Sequence, residues 1–248
     1  MTDQYAVIGN PISHSQSPLI HSEFAKQTGQ NIVYDRLSAP LDGFDRVASA
    51  FVGQGGKGLN ITLPFKGDAF RLAHQLTSRA SVCEAVNTLT FKDGVIYGDN
   101  TDGVGLVRDI VENLDMPIAG KRVLLLGAGG AVRGVLLPLL EEKPASLTVA
   151  NRTVEKAQAL ASQFAPYGAV RAVGYPDLMG EQFDIIINGT STSLHDELPP
   201  IPHGVFAPDA LAYDMVYSAG LTPFLKRAQQ EKAGMLADGL GMLVEQAA

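Results

Sequence analysis

The stretch Lys121-Arg122-Val123-Leu124-Leu125-Leu126-Gly127-Ala128-Gly129-Gly130-Ala131, answered downstream by Asn151-Arg152-Thr153, combines residue types and spacing suited to holding a phosphorylated ligand. An apolar run ending in glycines predicts a buried strand that turns sharply into a helix. Glycine lets the backbone approach a pyrophosphate, and the helix start offers N–H donors and partial positive charge. A second strand, residues 145–150, then ends where dinucleotide folds usually place an acid for the ribose 2′-hydroxyl. Asn151 and Arg152 stand there instead, with Lys156 a helical turn further on. A carboxylate would repel a 2′-phosphate, whereas a guanidinium pairs with it, so the pattern argues for NADP(H) over NAD(H). The alternatives are an ordinary tight strand–helix turn and a solvated surface arginine. Val132 occupies the third position of the glycine pattern, where Gly or Ala is standard, and predicts looser packing of helix on strand.

These residues need strands and helices to position them. In the first hundred residues, segments 5–9, 32–37 and 59–63 read as strands. Residues 86–91 and 95–97 read as a hairpin around Asp93-Gly94. Ser17 is a candidate N-cap with Pro18 at the first helical position, and Gly29 a candidate end for that helix. Phe44, Val47, Ala48, Phe51 and Val52 recur at helical spacing, and another helix follows Pro64. Asn100-Thr101-Asp102 offers caps for a helix whose predicted apolar stripe is Val104, Val107, Val111 and Leu114. From residue 121 to about 215 the strand–helix alternation predicts a parallel doubly wound sheet, with further strands at 183–188 and 211–215. Pro138 should bend the helix after the glycines, and a last helix is expected to begin within 236–244. The fold class is therefore α/β with two domains, the second Rossmann-like.

Bulk properties narrow the function. A chain of 248 residues with 46% hydrophobic and 18% charged residues is an ordinary globular protein. A net charge of −7 argues against general nucleic-acid affinity, so an anionic ligand must be caught by local positive groups. Cys83, the single cysteine, permits no internal disulfide and fits a reducing cytoplasm. The first residues do not read as a signal peptide, and no apolar stretch reaches membrane-spanning length. The five histidines show no metal-ligand spacing.

Taken together, the motifs resemble those of the shikimate dehydrogenase family. They are residues 7–18 (Val-Ile-Gly-Asn-Pro-Ile-Ser-His-Ser-Gln-Ser-Pro), Asn60-Ile61-Thr62-Leu63-Pro64-Phe65-Lys66, Ala85-Val86-Asn87-Thr88 and Gly98-Asp99-Asn100-Thr101-Asp102-Gly103. The glycine turn, Asn151-Arg152-Thr153, Tyr213-Asp214-Met215 and Asp238-Gly239-Leu240-Gly241-Met242 complete the series, which spans nearly the whole chain. The resemblance implies reversible reduction of 3-dehydroshikimate to shikimate by NADPH, on the route to aromatic amino acids. It also implies a substrate domain at 1–101, rejoined by 238–248, and an NADP-binding domain at 102–237. Ser15 and Ser17 would bind the substrate carboxylate; Thr62, Asn87, Asp102 and Gln246 would contact ring hydroxyls, and Tyr217 would approach from the cofactor domain. Gly127, Ala128, Gly129, Gly130, Ala131, Asn151, Arg152, Thr153, Lys156, Met215 and Gly239 would hold the cofactor.

Hydride reaching a ketone leaves negative charge on oxygen, which needs a proton and electrostatic support. Lys66 is the expected principal acid/base and Asp102 its partner; which of the two moves the proton stays open. Each residue also has a plainer role available. Ser17 and Asp102 could serve as helix caps, Asn87 could satisfy strand-end backbone groups, and Tyr217 could be packing. Ser193 replaces a glycine in the family's usual Asn-Ala-Thr-Ser-x-Gly-Met, which predicts an altered turn where φ would be positive. Family members usually continue about two dozen residues further, and a chain stopping at Ala248 would bind substrate more weakly. The alternatives are a quinate/shikimate dehydrogenase of broader specificity and a non-catalytic sensor of shikimate-like acids or NADPH. Retention of Lys66 and Asp102 argues against the sensor. A monomer or homodimer in the cytoplasm is expected, without nucleic-acid or membrane partners.

Overall fold

In the computed structural model, which describes residues 2–195 and 197–248, apolar segments too short to bury alone are gathered into two separate sheets. The chain divides into two compact units, one running through Thr101 and including Ala247–Ala248, the other Asp102–Gln246.

The first unit contains β1 (Asp3–Gly9), α1 (Ser17–Thr28), β2 (Ile32–Ser38), α2 (Phe44–Gly53), β3 (Gly58–Ile61) and α3 (Lys66–Leu72). β4 (Gln75–Leu76), α4 (Ser78–Cys83), β5 (Thr88–Lys92) and β6 (Val95–Asp99) follow. Its sheet order is β2-β1-β3-β5-β6-β4, with β1 parallel to β2 and β3. The β5–β6 hairpin is antiparallel and turns through Asp93 and Gly94, both at positive φ, the conformation such two-residue turns demand. Inward residues of these strands, Ala6, Ile8, Leu59, Ile61 and Leu89, meet Phe44, Phe51 and Phe65 in one core. Gly29 ends α1 in the left-handed conformation, as expected. Ser17, however, is the first helical residue and not the N-cap; the cap position is Gln16, without a side-chain cap.

The second unit holds α5 (Asp102–Arg108), β7 (Arg122–Leu126), α6 (Gly130–Glu141), β8 (Ser146–Ala150), α7 (Val154–Phe164) and β9 (Val170–Val173). It continues with β10 (Phe183–Asn188), β11 (Phe206–Asp214), α8 (Pro223–Gln230), β12 (Met235–Ala237) and α9 (Leu240–Glu245). Every pairing in its sheet is parallel, in the order β12-β11-β10-β7-β8-β9. The chain direction across the sheet therefore reverses between β7 and β10, the place where open α/β sheets bind ligands beyond their carboxyl ends.

Several expectations change. On α5 the buried positions are Asp102, Gly103, Gly105 and Leu106, followed by Asp109 and Ile110; Val104, Val107, Val111 and Leu114 are only half-buried. Small residues lie on the packed face because neighbouring backbones press against it. A Cβ at Gly103 would stand 2.7 Å from the Gly134 carbonyl oxygen of α6. That carbonyl is the acceptor Pro138 cannot serve, since proline lacks an N–H. α5 then widens into a π-helical turn over Asp109–Asn113, which shifts the periodicity. Met235–Ala237 forms a strand paired with β11, so the last helix begins only at Leu240. Residues 238–246, expected with the first domain, pack inside the second unit. β11 extends five residues earlier than the predicted 211, its signal masked by Pro208 and by Asp209 at positive φ.

Val132 does not loosen the glycine turn. It is fully buried, and a Cβ at Gly189 would stand 2.6 Å from its Cγ2. The missing side chain at 189 makes the room that Val132 fills. Gly189→Ala is expected to cost about 1–3 kcal/mol of stability, as overpacking does. Urea denaturation should show a large part of that loss restored in the Val132→Ala/Gly189→Ala double variant.

Candidate active site

In the second unit, β7 delivers the glycine turn. Gly127 adopts φ +106°, closed to residues with a side chain, and a Cβ there would meet Gly189 O at 3.3 Å. Around Gly129 and Gly130 no neighbouring atom lies within 4 Å of where a Cβ would stand, so the first turn of α6 opens outward. Gly129 caps α6 without a side-chain bond, which leaves amide donors of a 12-residue helix facing that opening. Gly127 N donates to Ala150 O at 2.8 Å, which joins the turn to the end of β8. Directly beyond stand Asn151, whose Nδ2 donates to Thr153 O at 2.8 Å, and exposed Arg152, Thr153 and Lys156. The sheet thus brings the glycines and the basic strand end side by side.

β10 and β11 end on a shared buried carboxylate. Asp214 has no solvent exposure. Its Oδ1 accepts from Asn188 Nδ2 at 3.2 Å and Val216 N at 3.1 Å; its Oδ2 accepts from Ser193 Oγ at 2.7 Å and Thr222 Oγ1 at 2.6 Å. The loops after both strands and the start of α8 are tied to this one group. Ser193 lies in a short 3₁₀ turn and not at positive φ, so the strain expected there is absent and its hydroxyl makes a new bond instead. Gly239 lies against Met215, where a Cβ would come 2.2 Å from the Met215 carbonyl oxygen. Tyr217 is 40% exposed in the loop after β11.

The first unit positions a second group of polar side chains. Ser15 Oγ lies 3.2 Å from Ser17 Oγ and accepts from Ser17 N at 3.3 Å. Arg36 donates from Nε and Nη2 to Ser15 O, at 3.0 and 2.6 Å, and steadies the loop. Thr62 follows β3 and lies over Gly9, where a Cβ would come 2.4 Å from its methyl. Lys66 is the first residue of α3, its carbonyl accepting from Val86 N at 2.9 Å. Asn87 is buried, its Oδ1 accepting from Thr101 N at 3.0 Å, so a backbone-satisfying role for it is present. Asp102, 7% exposed, begins α5 in the other unit, and Gln246 follows α9 with Nε2 donating to Leu243 O at 3.1 Å. Among the described residues, no cluster of three or more His, Cys, Asp or Glu could hold a metal ion, and no helix is long and apolar enough to cross a membrane.

Residues 7–89 match the shikimate dehydrogenase substrate binding domain, and residues 106–195 match the shikimate/quinate 5-dehydrogenase family. Over 248 residues the chain is 75% identical to the NADP(+) shikimate dehydrogenase of Chromobacterium violaceum, covering 100% of this chain and 91% of the relative. This chain belongs to the shikimate dehydrogenase family. The corresponding enzyme of Laribacter hongkongensis is 67% identical over the same span and coverage. Among solved structures, an Ael1 enzyme from Pseudomonas putida superposes with a TM-score of 0.94 at 49% identity, covering 100% of this chain and 91% of that one. Shikimate 5-dehydrogenase from Thermus thermophilus, solved with NADP(H) and shikimate, gives 0.88 at 30% identity with the same coverages.

Family motifs named Asn60 without giving it a role, and they left His21, Tyr34 and Arg79 unnoticed. Tyr34 OH donates to Asn60 Oδ1 at 2.6 Å, Asn60 Nδ2 donates to Thr88 Oγ1 at 3.2 Å, and His21 stacks on Tyr34 at 4.2 Å. Burial lowers the His21 pKa and raises that of Tyr34, so both rings stay neutral near pH 7. Nothing in the local spacing pairs these residues; the β1–β2, β1–β3 and β3–β5 registers bring Tyr34, Asn60 and Thr88 together, and α1 lays His21 on Tyr34. Likewise Arg79 meets Asp99 across the unit, Nε at 2.7 Å and Nη2 at 2.5 Å. Burial works to raise the Asp99 pKa, but hydrogen bonds from Arg79 and Thr77 outweigh it and hold the carboxyl below its ordinary value of 3.8. A lowered folded pKa means that this stabilisation is present above the unfolded value and is lost as pH falls through the folded one. Arg79→Gln is expected to cost about 1 kcal/mol at pH 7, with the difference from the parent shrinking below about pH 4 in a series of urea titrations.

Proposed function

We infer that this chain catalyses the reversible NADPH-dependent reduction of 3-dehydroshikimate to shikimate, the activity named for its relatives. The observation that carries the cofactor half is the glycine turn hydrogen-bonded to a strand end bearing Asn151 and Arg152. The turn fits a dinucleotide: Gly127 needs its positive φ, and the open first turn of α6 leaves room and donors for a pyrophosphate. When bound, NADPH supplies the hydride. Arg152, Asn151, Thr153 and Lys156 would hold the adenosine phosphate end, and Met215 and Gly239 the nicotinamide end.

The substrate is assigned to the polar side chains of the first unit together with Asp102, Tyr217 and Gln246 of the second. Ser15 and Ser17, two adjacent hydroxyls on one steadied loop, would take the carboxylate. Thr62, Asn87, Asp102 and Gln246 would take ring hydroxyls, with Tyr217 a further contact. Lys66 carries the proton: its ammonium protonates the carbonyl oxygen as that oxygen gains charge, and its amine recovers the proton in the reverse direction. Its place at a helix start, where a cation is disfavoured, supports a chemical reason for a lysine there. Asp102 partners that ammonium. A cytoplasmic monomer or homodimer without nucleic-acid partners completes the reading, in keeping with buried Cys83 and a net charge of −7.

Spectrophotometric NADPH oxidation with 3-dehydroshikimate should proceed, with NADH and quinate as weaker controls; absence of turnover would refute the assignment. Lys66→Ala should lower kcat by about 10²–10⁴-fold with NADPH affinity, read by fluorescence titration, nearly unchanged. Arg152→Ala should raise KM for NADPH about 10–100-fold, the scale of a lost charge-assisted pair, and leave KM for NADH where it was.

A further inference from the structure

Within the second unit, Asp102, Gly105 and Asp109 follow each other at spacings of three and four and share the buried face of α5 and its π-helical continuation. α9 lies along that face in the opposite direction. A Cβ at Gly105 would stand 2.6 Å from Gln246 N, and one at Gly241 would stand 2.0 Å from Asp109 Oδ1. The end of α9 that carries Gln246 is thereby brought three residues from Asp102, and its start is brought onto Asp109.

That start is fastened by a relay. Gly239 provides no side-chain cap for α9, but Met242 N donates to Tyr213 OH at 3.3 Å. The same hydroxyl donates to Asp109 Oδ2 at 2.6 Å, while Asp109 Oδ1 accepts from Asn113 Nδ2 at 2.9 Å. Tyr213 has no solvent exposure and Asp109 only 5%. Burial and the Asp109 carboxylate keep the phenol protonated far above neutrality, so it remains a donor toward Asp109 and an acceptor toward α9. A phenol on β11 thus shares the capping of α9 with Asp238, whose Oδ1 accepts from Leu240 N at 3.1 Å, and it alone of the two joins that start to Asp109.

We propose that Asp109 and Tyr213 are positioning residues for substrate binding, which set the placement of Gln246 relative to Asp102 by anchoring the start of α9. The inference rests on the reading above, in which Gln246 and Asp102 contact the substrate. Neither Asp109 nor Tyr213 is given a contact with substrate or cofactor.

Tyr213→Phe keeps the ring and removes the relay. With shikimate and NADP+ in steady state, KM for shikimate should rise about tenfold, the scale of one positioning hydrogen bond, while KM for NADP+ stays within about twofold. Asp109→Asn, which retains an acceptor oxygen, should recover most of the parent KM, and Asp109→Leu should not. In a Gln246→Ala background, Tyr213→Phe should add nothing further. Unchanged KM for shikimate, an equal rise in both KM values, or additivity with Gln246→Ala would each overturn the inference while the functional reading stands. Should Tyr213→Phe fail to fold, Gly105→Ala, which displaces Gln246 directly, must give the same selective rise or the inference fails. A parent protein without NADP+-linked shikimate oxidation would instead overturn the functional reading, and this inference with it.

Discussion

A carboxylate removed from water must be met by donors, and Asp214 at the carboxyl end of β11 is met from its surroundings on every side described above. Because those donors belong to separate loops, satisfying one group fixes the relative placement of all of them. Asn188 belongs to β10, Ser193 to the turn after it, Val216 to the loop after β11, and Thr222 to the cap of α8. The rim of the sheet beside the glycine turn is consequently rigid on one side. On the other side, α6 presents open amides. A fixed rim beside an open helix start suits an elongated anionic ligand, gripped at its phosphates and aligned at its far end.

Much of this organisation is visible in the residues. The glycine turn, the basic end of β8 and the Asp93-Gly94 hairpin are local signals, each set by the conformational demands of a few adjacent residues, and each lies where it was expected. The fold class follows from the alternation of strand and helix patterns, and the parallel order of the second sheet bears it out. What could not be seen were features made by long-range approach. α5 buries glycines and an aspartate because two other backbones lie against it, and hydrophobic periodicity has no symbol for that. β12 has only three residues and is a strand only because β11 is beside it.

The candidate site shows the same division. Ser15, Ser17, Thr62, Lys66 and Asn87 were nameable because they fall inside motifs, whereas the groups that steady them do not. Arg36 reaches the Ser15 carbonyl from β2, and Tyr34 reaches Asn60 from the same strand. Alternate residues of one edge strand thus brace the loop after β1 and the end of β3. An exposed or half-buried strand residue carries no signal of that role until its neighbours in the sheet are known. Ser193 makes the complementary point: a residue expected to strain a turn gained a hydrogen bond that glycine could not make.

The exchange between Val132 and Gly189 has a consequence for descent. Two neighbouring positions share one small volume, so a lineage can keep its bulk at either but not both. Moving from one arrangement to the other by single steps passes through a void or a clash, and either intermediate costs stability. The two sites should therefore vary together along any line of relatives that made the change.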